Sequence, residues 1–247
     1  MRKTAQMTHD PMTYDRYLAL DRLLGAQHPI SDEHDELLFI VIHQTKELWL
    51  KQMIAEARYA RDAIAGGRLH EAYKILARVS RIQAVMTMSW DVLATMTPSD
   101  YTRFRSVLGT SSGFQSDGFR AFEALLGLKV GGAPGPLTRA ALGEPNLWET
   151  ACAALVRAGG DVAGSGVEAA WAEVYREPER WWDLYQLAEK LVDVDDALAS
   201  WRHKHVLTVS RIIGGKRGTG GTAGVPYLES TITKRAFPEL WSLRTLL

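Results

Sequence analysis

Cysteine is almost absent from this chain. A single Cys152 among 247 residues leaves no disulfide framework and no cysteine-rich metal site, which suits a reducing compartment. Cys152 itself, within WETACAALV, reads as a small buried apolar residue. Net charge is absent too. Lys and Arg (29) balance Asp and Glu (29), so no long-range field draws the chain to nucleic acid or an anionic membrane, and its partner is expected to be small or to be protein. No apolar run is long enough to span a bilayer. The basic start MRKTAQMTHDPMTYD leads into no apolar stretch of the signal-peptide kind, so the expected location is cytoplasmic. Alternating strand patterns and repeat periods are missing as well.

What is present is helical periodicity and material for a core. With 46% hydrophobic residues, 247 residues suffice for one large domain. Residues 1–12 read as disordered, and residues 13–26 (TYDRYLALDRLLGA) space Tyr14, Tyr17, Leu18 and Leu24 as one short amphipathic helix. This gives an arm over residues 1–30, set to contact a neighbouring subunit, and a single all-α domain over residues 31–247. Pro29 and Ser31 open a helix whose first turn carries Asp32 and Glu33. From Leu37 the pattern runs without Gly or Pro to Ala65, and a second long pattern follows Gly66 and Gly67, making an antiparallel hairpin. Thr97-Pro98-Ser99-Asp100 has the cap, proline and acid of a helix start, and Gly109 ends that short helix. VGGAPGPL and GGDVAGSG read as loops. A third long helix follows Pro178, and a last helical segment ends around Pro238. The fold class is all-α, a bundle of long helices with shorter crossing helices. Eight tryptophans are expected to fill the core.

Seven histidines stand at 9, 28, 34, 43, 70, 203 and 205, but only His43 and His205 lie deep in apolar helical stretches. A single such histidine is ordinarily a hydrogen-bonded core residue. Two on separate long helices, one beside a glycine-rich loop, narrow that margin, and imidazole is the commonest proximal ligand of haem iron. Residues 201–224, WRHKHVLTVSRIIGGKRGTGGTAG, end a helix that carries His205 and enter a loop with glycine at 214, 215, 218, 220, 221 and 224. That loop follows a helix rather than a strand and lacks the Gly-Lys-Ser/Thr ending, so it is a poor nucleotide cradle. Its amides, hydroxyl and cations suit carboxylates instead. Arg105, in DYTRFRSVLG, is a second candidate carboxylate clamp, though alone it reads as a surface ion-pair residue. No histidine has Glu three residues before it, which removes a ferritin-type di-iron site. His34, among four acids, reads as a solvated helix start.

Four segments in order resemble the tryptophan 2,3-dioxygenase family: TYDRYLALDRLL, LLFIVIHQTKELWLK, TPSDYTRFRSVLGTSSGFQS and the His205 stretch. The phrases LVDVDDALASW and FPELWSLRT are similar as well. The resemblance implies a haem b cofactor, ferrous when active, with His205 as proximal iron ligand and Ser112 and Gly113 at the haem edge. It implies that His43 lies distal and accepts the indole N–H, that Arg105 and Thr219 hold the amino-acid end, and that Phe39 and Tyr101 wall the indole pocket. Tyr14 and Tyr17 match an arm that reaches a neighbouring subunit's site in a homotetramer. The implied reaction inserts O2 across the indole C2–C3 bond of L-tryptophan to give N-formylkynurenine, opening tryptophan catabolism by the kynurenine pathway.

The chain departs from that pattern where GLKVGGAPGPLTRAALGEPNLWE and GGDVAGSGVEAAW look contracted. This puts the substrate, the pocket lid and the subunit contacts in question. Two further readings follow: a related haem oxygenase that monooxygenates a modified tryptophan in specialised metabolism, and a non-catalytic helical protein that binds haem as a sensor or binds none. Product mass separates the first two, and a haem absorption spectrum tests the third.

Overall fold

The computed structural model describes residues 11–247, so the disorder expected of residues 1–12 lies, up to residue 10, outside the described residues. Helices α1 (Tyr14–Leu18) and α2 (Leu20–Leu24) replace the single helix expected there. Between them Ala19 takes a left-handed conformation, φ 49 and ψ 46, which a residue with a Cβ adopts only rarely. Neither turn buries a residue. Helix α3 (His34–Ala65) begins later than the acid pattern suggests. The cause is Glu36, whose buried carboxylate turns back to accept from Ile30 N (2.8 Å), Ser31 N (2.7 Å) and the Ser31 hydroxyl. Burial raises its pKa, yet these donors outweigh burial and hold it below the usual carboxylate range, so residues 30 and 31 form a bend rather than a first turn. His34 is exposed, as its acidic neighbours suggest.

Gly66 and Gly67 end α3, and α4 (Leu69–Leu93) returns beside it. Helix α5 (Pro98–Phe104) starts in the capping box anticipated from its sequence: Asp100 N donates to Thr97 Oγ1, and Thr97 N donates to Asp100 Oδ2 at 2.9 Å. A tighter turn, Arg105–Leu108, carries on from it until Gly109, φ 54. Four short helices are unmarked in the sequence pattern: α7 (Pro136–Leu142), α8 (Leu147–Arg157), α9 (Val162–Ser165) and α10 (Val167–Arg176) follow the anticipated α6 (Asp117–Leu126). Part of GGDVAGSG, read as loop, is thus the single turn α9. The third long helix, α11 (Trp182–Ile213), precedes α12 (Val225–Glu229) and α13 (Pro238–Ser242). Pro238 therefore opens the last helix and does not close one, which its fixed φ and missing N–H favour at a first helical position. No strand occurs among the described residues.

Helix α4 lies between α3 and α11 and packs on both. Ala57, Ala60 and Ala63 of α3 share one buried cluster with Leu76, Val79 and Ile82 of α4 and Leu187, Leu191 and Val194 of α11. Each fully buried leucine of this kind contributes about 1.5–3 kcal/mol. A second apolar cluster, with Ile42, Trp90, Leu93, Met96, Tyr101, Phe104 and Ile212, forms where α5 meets the long helices. Two polar ties complete the frame. Arg202 of α11 is buried against Glu123 of α6 at 2.6 Å and donates to Lys234 O at 3.0 Å. Buried Asp195 accepts from Ala236 N (2.9 Å), Phe237 N (3.3 Å) and Trp241 Nε1 (3.0 Å), fastening the C-terminal turn to α11.

A histidine-flanked cavity as candidate active site

The three long helices do not close completely. They leave a cavity of about 420 Å3 between α3, α4 and α11, roofed by residues 111–113, residues 218–224 and α12. Phe39, His43, Tyr101, Arg105, Ser112, Gly113, His205 and Thr219 all line it, although they come from four separate parts of the chain. Tyr14 and Tyr17 do not: both are 76% exposed on the arm.

His43 leaves α3 with its Nδ1 2.7 Å from Phe39 O. A carbonyl only accepts, so Nδ1 carries the proton and Nε2 is left as an acceptor. Burial pulls the pKa of His43 to about 4, the Phe39 bond acting against this and the charge of Lys46 adding to it. The ring lies 4.1 Å from Phe39, which in turn meets Tyr101 and Phe104 at 6.0 and 5.7 Å. Phe39, His43 and Tyr101 line the cavity, with Phe104 buried behind them. Burial also raises the Tyr101 hydroxyl's pKa, opposed by Arg105 beside it.

On the other side, His205 of α11 stacks on Trp90 at 4.4 Å and 9° and sits 5.2 Å from Trp201. Burial, with Lys46 and His43 adding to it, lowers its pKa to about 3. It is therefore a neutral imidazole at physiological pH, the form that ligates metal. No hydrogen bond engages its ring nitrogens among the described residues. Clusters of three or more histidine, cysteine, aspartate or glutamate side chains suited to a metal ion do not occur among them either.

One end of the cavity is built by two loops that grip each other. Arg105 Nη2 donates to Arg217 O at 2.5 Å, and the Thr219 hydroxyl donates to Ser111 O. Arg105 makes no ion pair with a carboxylate among the described residues, contrary to the surface ion-pair reading. Gly220 permits the grip, because a Cβ there would lie 2.5 Å from Ser112 Cβ. Gly224, φ 74, turns the loop back over Lys216 O.

Several wall residues were not anticipated. Lys46, Trp90, Phe119, Arg120, Trp201 and Tyr227 line the cavity beside the expected set, so two of the tryptophans taken as core filling face the site. Lys46 had a usable signal, since it lies three residues after His43 and so shares its helix face. No residue of 133–162 touches the cavity.

An all-helical frame sets two neutral imidazoles and an arginine without a carboxylate partner around an aromatic cavity, the concave, largely apolar setting that small-molecule sites favour. Comparison with known proteins gives it a family. The tryptophan 2,3-dioxygenase profile matches residues 2–132 and 163–247, and the chain belongs to that family. It is 62% identical over 259 residues to the tryptophan 2,3-dioxygenase of Caulobacter vibrioides, covering 96% of this chain and 98% of the relative. Proteins of the same name from Bacillus cereus and Ralstonia pickettii are each 48% identical, covering 93% and 92% of their own lengths. The Caulobacter alignment is longer than the whole 247-residue chain, so this chain lacks some residues that its relative has. The profile's gap, residues 133–162, falls where the sequence looks contracted.

Proposed function

We propose that this chain is a haem-dependent dioxygenase that inserts O2 across the indole C2–C3 bond of L-tryptophan to give N-formylkynurenine. The observation that carries this reading is the convergence on one cavity of every expected site residue outside the arm, joined to 62% identity with a tryptophan 2,3-dioxygenase.

The cavity's chemistry fits haem. Aromatic rings of Trp90, Trp201, Phe119 and Tyr227 suit a flat macrocycle, and His205 offers a neutral, unengaged imidazole. Orphaned buried donors on the wall, Trp90 Nε1, Trp201 Nε1, Arg120 Nε and Lys46 Nζ, suit an anion. His205 would hold the iron, with Ser112 and Gly113 at the macrocycle edge. When bound, the cofactor supplies the redox chemistry that no side chain here can perform.

The chain's own residues then orient the substrate. Phe39 and Tyr101 wall the indole, and His43 Nε2 accepts its N–H. Arg105 exchanges its bond to Arg217 O for the substrate carboxylate, a stronger, charge-assisted partner, and Thr219 completes that end. The residues fix the ring's register over the reaction centre and exclude water, which is where most of the protein's contribution lies. The contracted stretch from Gly127 to Glu149 reaches the cavity through Lys129 and Gly131, so the mass of the product, and not the position of this stretch, separates tryptophan from a modified tryptophan.

We further read residues 1–30 as an arm and residues 31–247 as one catalytic domain in a homotetramer, since Tyr14, Tyr17 and Leu24 are exposed and bury nothing in their own chain. The test of function is to supply reduced, haem-loaded protein with L-tryptophan and O2 and weigh the product. A gain of two oxygen atoms is expected, and a gain of one would give the monooxygenase reading instead. His205→Ala should abolish the Soret band; if it holds haem normally, the ligand assignment is wrong.

A further inference from the structure

Lys46 has no place in the scheme above. Its side chain lines the cavity, yet the residue is only 6% exposed and its Nζ has neither a hydrogen bond nor an ion pair among the described residues. It leaves α3 one turn beyond His43 and reaches α4, where Nζ rests over the Trp90 ring, 2.7 Å from its centroid. The same indole stacks nearly parallel on His205 at 4.4 Å. An imidazole that close leaves no room for an ammonium over the same face, so Lys46 and His205 clasp the ring from opposite sides. The lysine is near enough to both histidines for its charge to act on each.

With no counter-ion in reach, burial pulls Lys46 down to about 6, so in the cofactor-free cavity its amine sheds its proton near neutral pH, and a bound anionic group would restore the charge. The wall provides none: Glu123 is taken by Arg202, and no ion pair joins Lys46 to Glu47. Its orphaned neighbours Trp90 Nε1, Trp201 Nε1 and Arg120 Nε only donate. This side of the cavity is short of negative charge, and a cofactor bearing two carboxylates brings it.

We propose that Lys46 is the buried counter-charge of the cofactor: fixed behind Trp90, it retains the anionic macrocycle and biases the iron beside His205 toward the ferrous state. The inference rests on the haem reading above. A positive charge near a redox centre favours the form with one positive charge fewer, here the ferrous form reached when ferric iron takes one electron from an added reductant.

The test compares haem-loaded wild type, Lys46→Met and Lys46→Arg by two readouts: haem transfer to an excess of scavenging apoprotein, and the midpoint potential by spectroscopic redox titration. Lys46→Met should lose haem about tenfold faster, and its midpoint should fall by about 59 mV, a tenfold loss of ferrous preference for one electron. Lys46→Arg, which keeps the charge, should stay close to wild type in both. Lys46→Gln serves the same comparison if the methionine variant does not fold. The proposal is overturned if the neutral variant matches wild type, if release changes without the potential, or if arginine fails to rescue. A wild type that takes up no haem would overturn the cofactor reading and this inference together.

Discussion

At the scale of single residues, the cavity is governed by bases that burial keeps neutral. An imidazole in an unfolded chain titrates near 6.5, whereas His43 titrates at about 4 and His205 at about 3 in the fold, and Lys46 moves from 10.5 to about 6. In each case the unfolded state binds more protons between the two values, so stability rises with pH across that window. The histidine contributions are therefore whole above about pH 6.5 and drain away as pH falls through the folded values. Lys46 adds the same sense from about 6 upward. Cofactor-free protein should melt at a lower temperature near pH 5 than near pH 7, before most carboxylates titrate. His43→Gln should flatten part of that slope; a flat profile in wild type would mean the rings are better hydrated than their setting implies. His43 and Arg105 stood out by their setting, but their meeting with Thr219 at one cavity was expected only through the family resemblance, because helical spacing alone gives no reason for residues so far apart in sequence to meet. Trp90 was not legible at all. A tryptophan on a helix face looks the same in sequence whether it fills a core or walls a cavity, and only its neighbours on α3 and α11 decide.

Elements divide by length. The two 32-residue helices and α4 were readable through their length and at their C-terminal ends, since a long uninterrupted apolar period without glycine or proline is helical. Short helices α7 to α10 were not, because a few turns are marginal alone and form only where tertiary packing supports them. The start of α3 was misplaced for a different reason: acids at 32 and 33 look like a first turn, but Glu36 spends its carboxylate on holding the preceding bend. The C-terminal turn is held by a comparable device. Removing the Asp195 carboxylate leaves two backbone donors and an indole N–H buried without a partner, each such loss costing about 1–3 kcal/mol. Asp195→Ala should lower the denaturation midpoint markedly. If its stability equals that of wild type, water or a shift of α13 satisfies those donors and the tie is not structural.

The molecule as a whole presents more apolar surface than its own fold uses. Leu37, Val41, Leu48 and Trp49 of α3, with Val85, Met88 and Val92 of the adjoining α4, remain exposed, and apolar side chains left in water on neighbouring helices suit an association surface. Light scattering should give a mass of four copies of the 27.5 kDa chain, and deletion of residues 1–30 should shift it toward smaller species. A monomer at working concentration would refute the assembly. The profile's unmatched segment, residues 133–162, lies apart from the cavity wall. Its drift can alter how firmly the protein folds without altering what it transforms. A lineage adapting to a new temperature thus has a stretch of sequence it can revise while its chemistry is inherited intact.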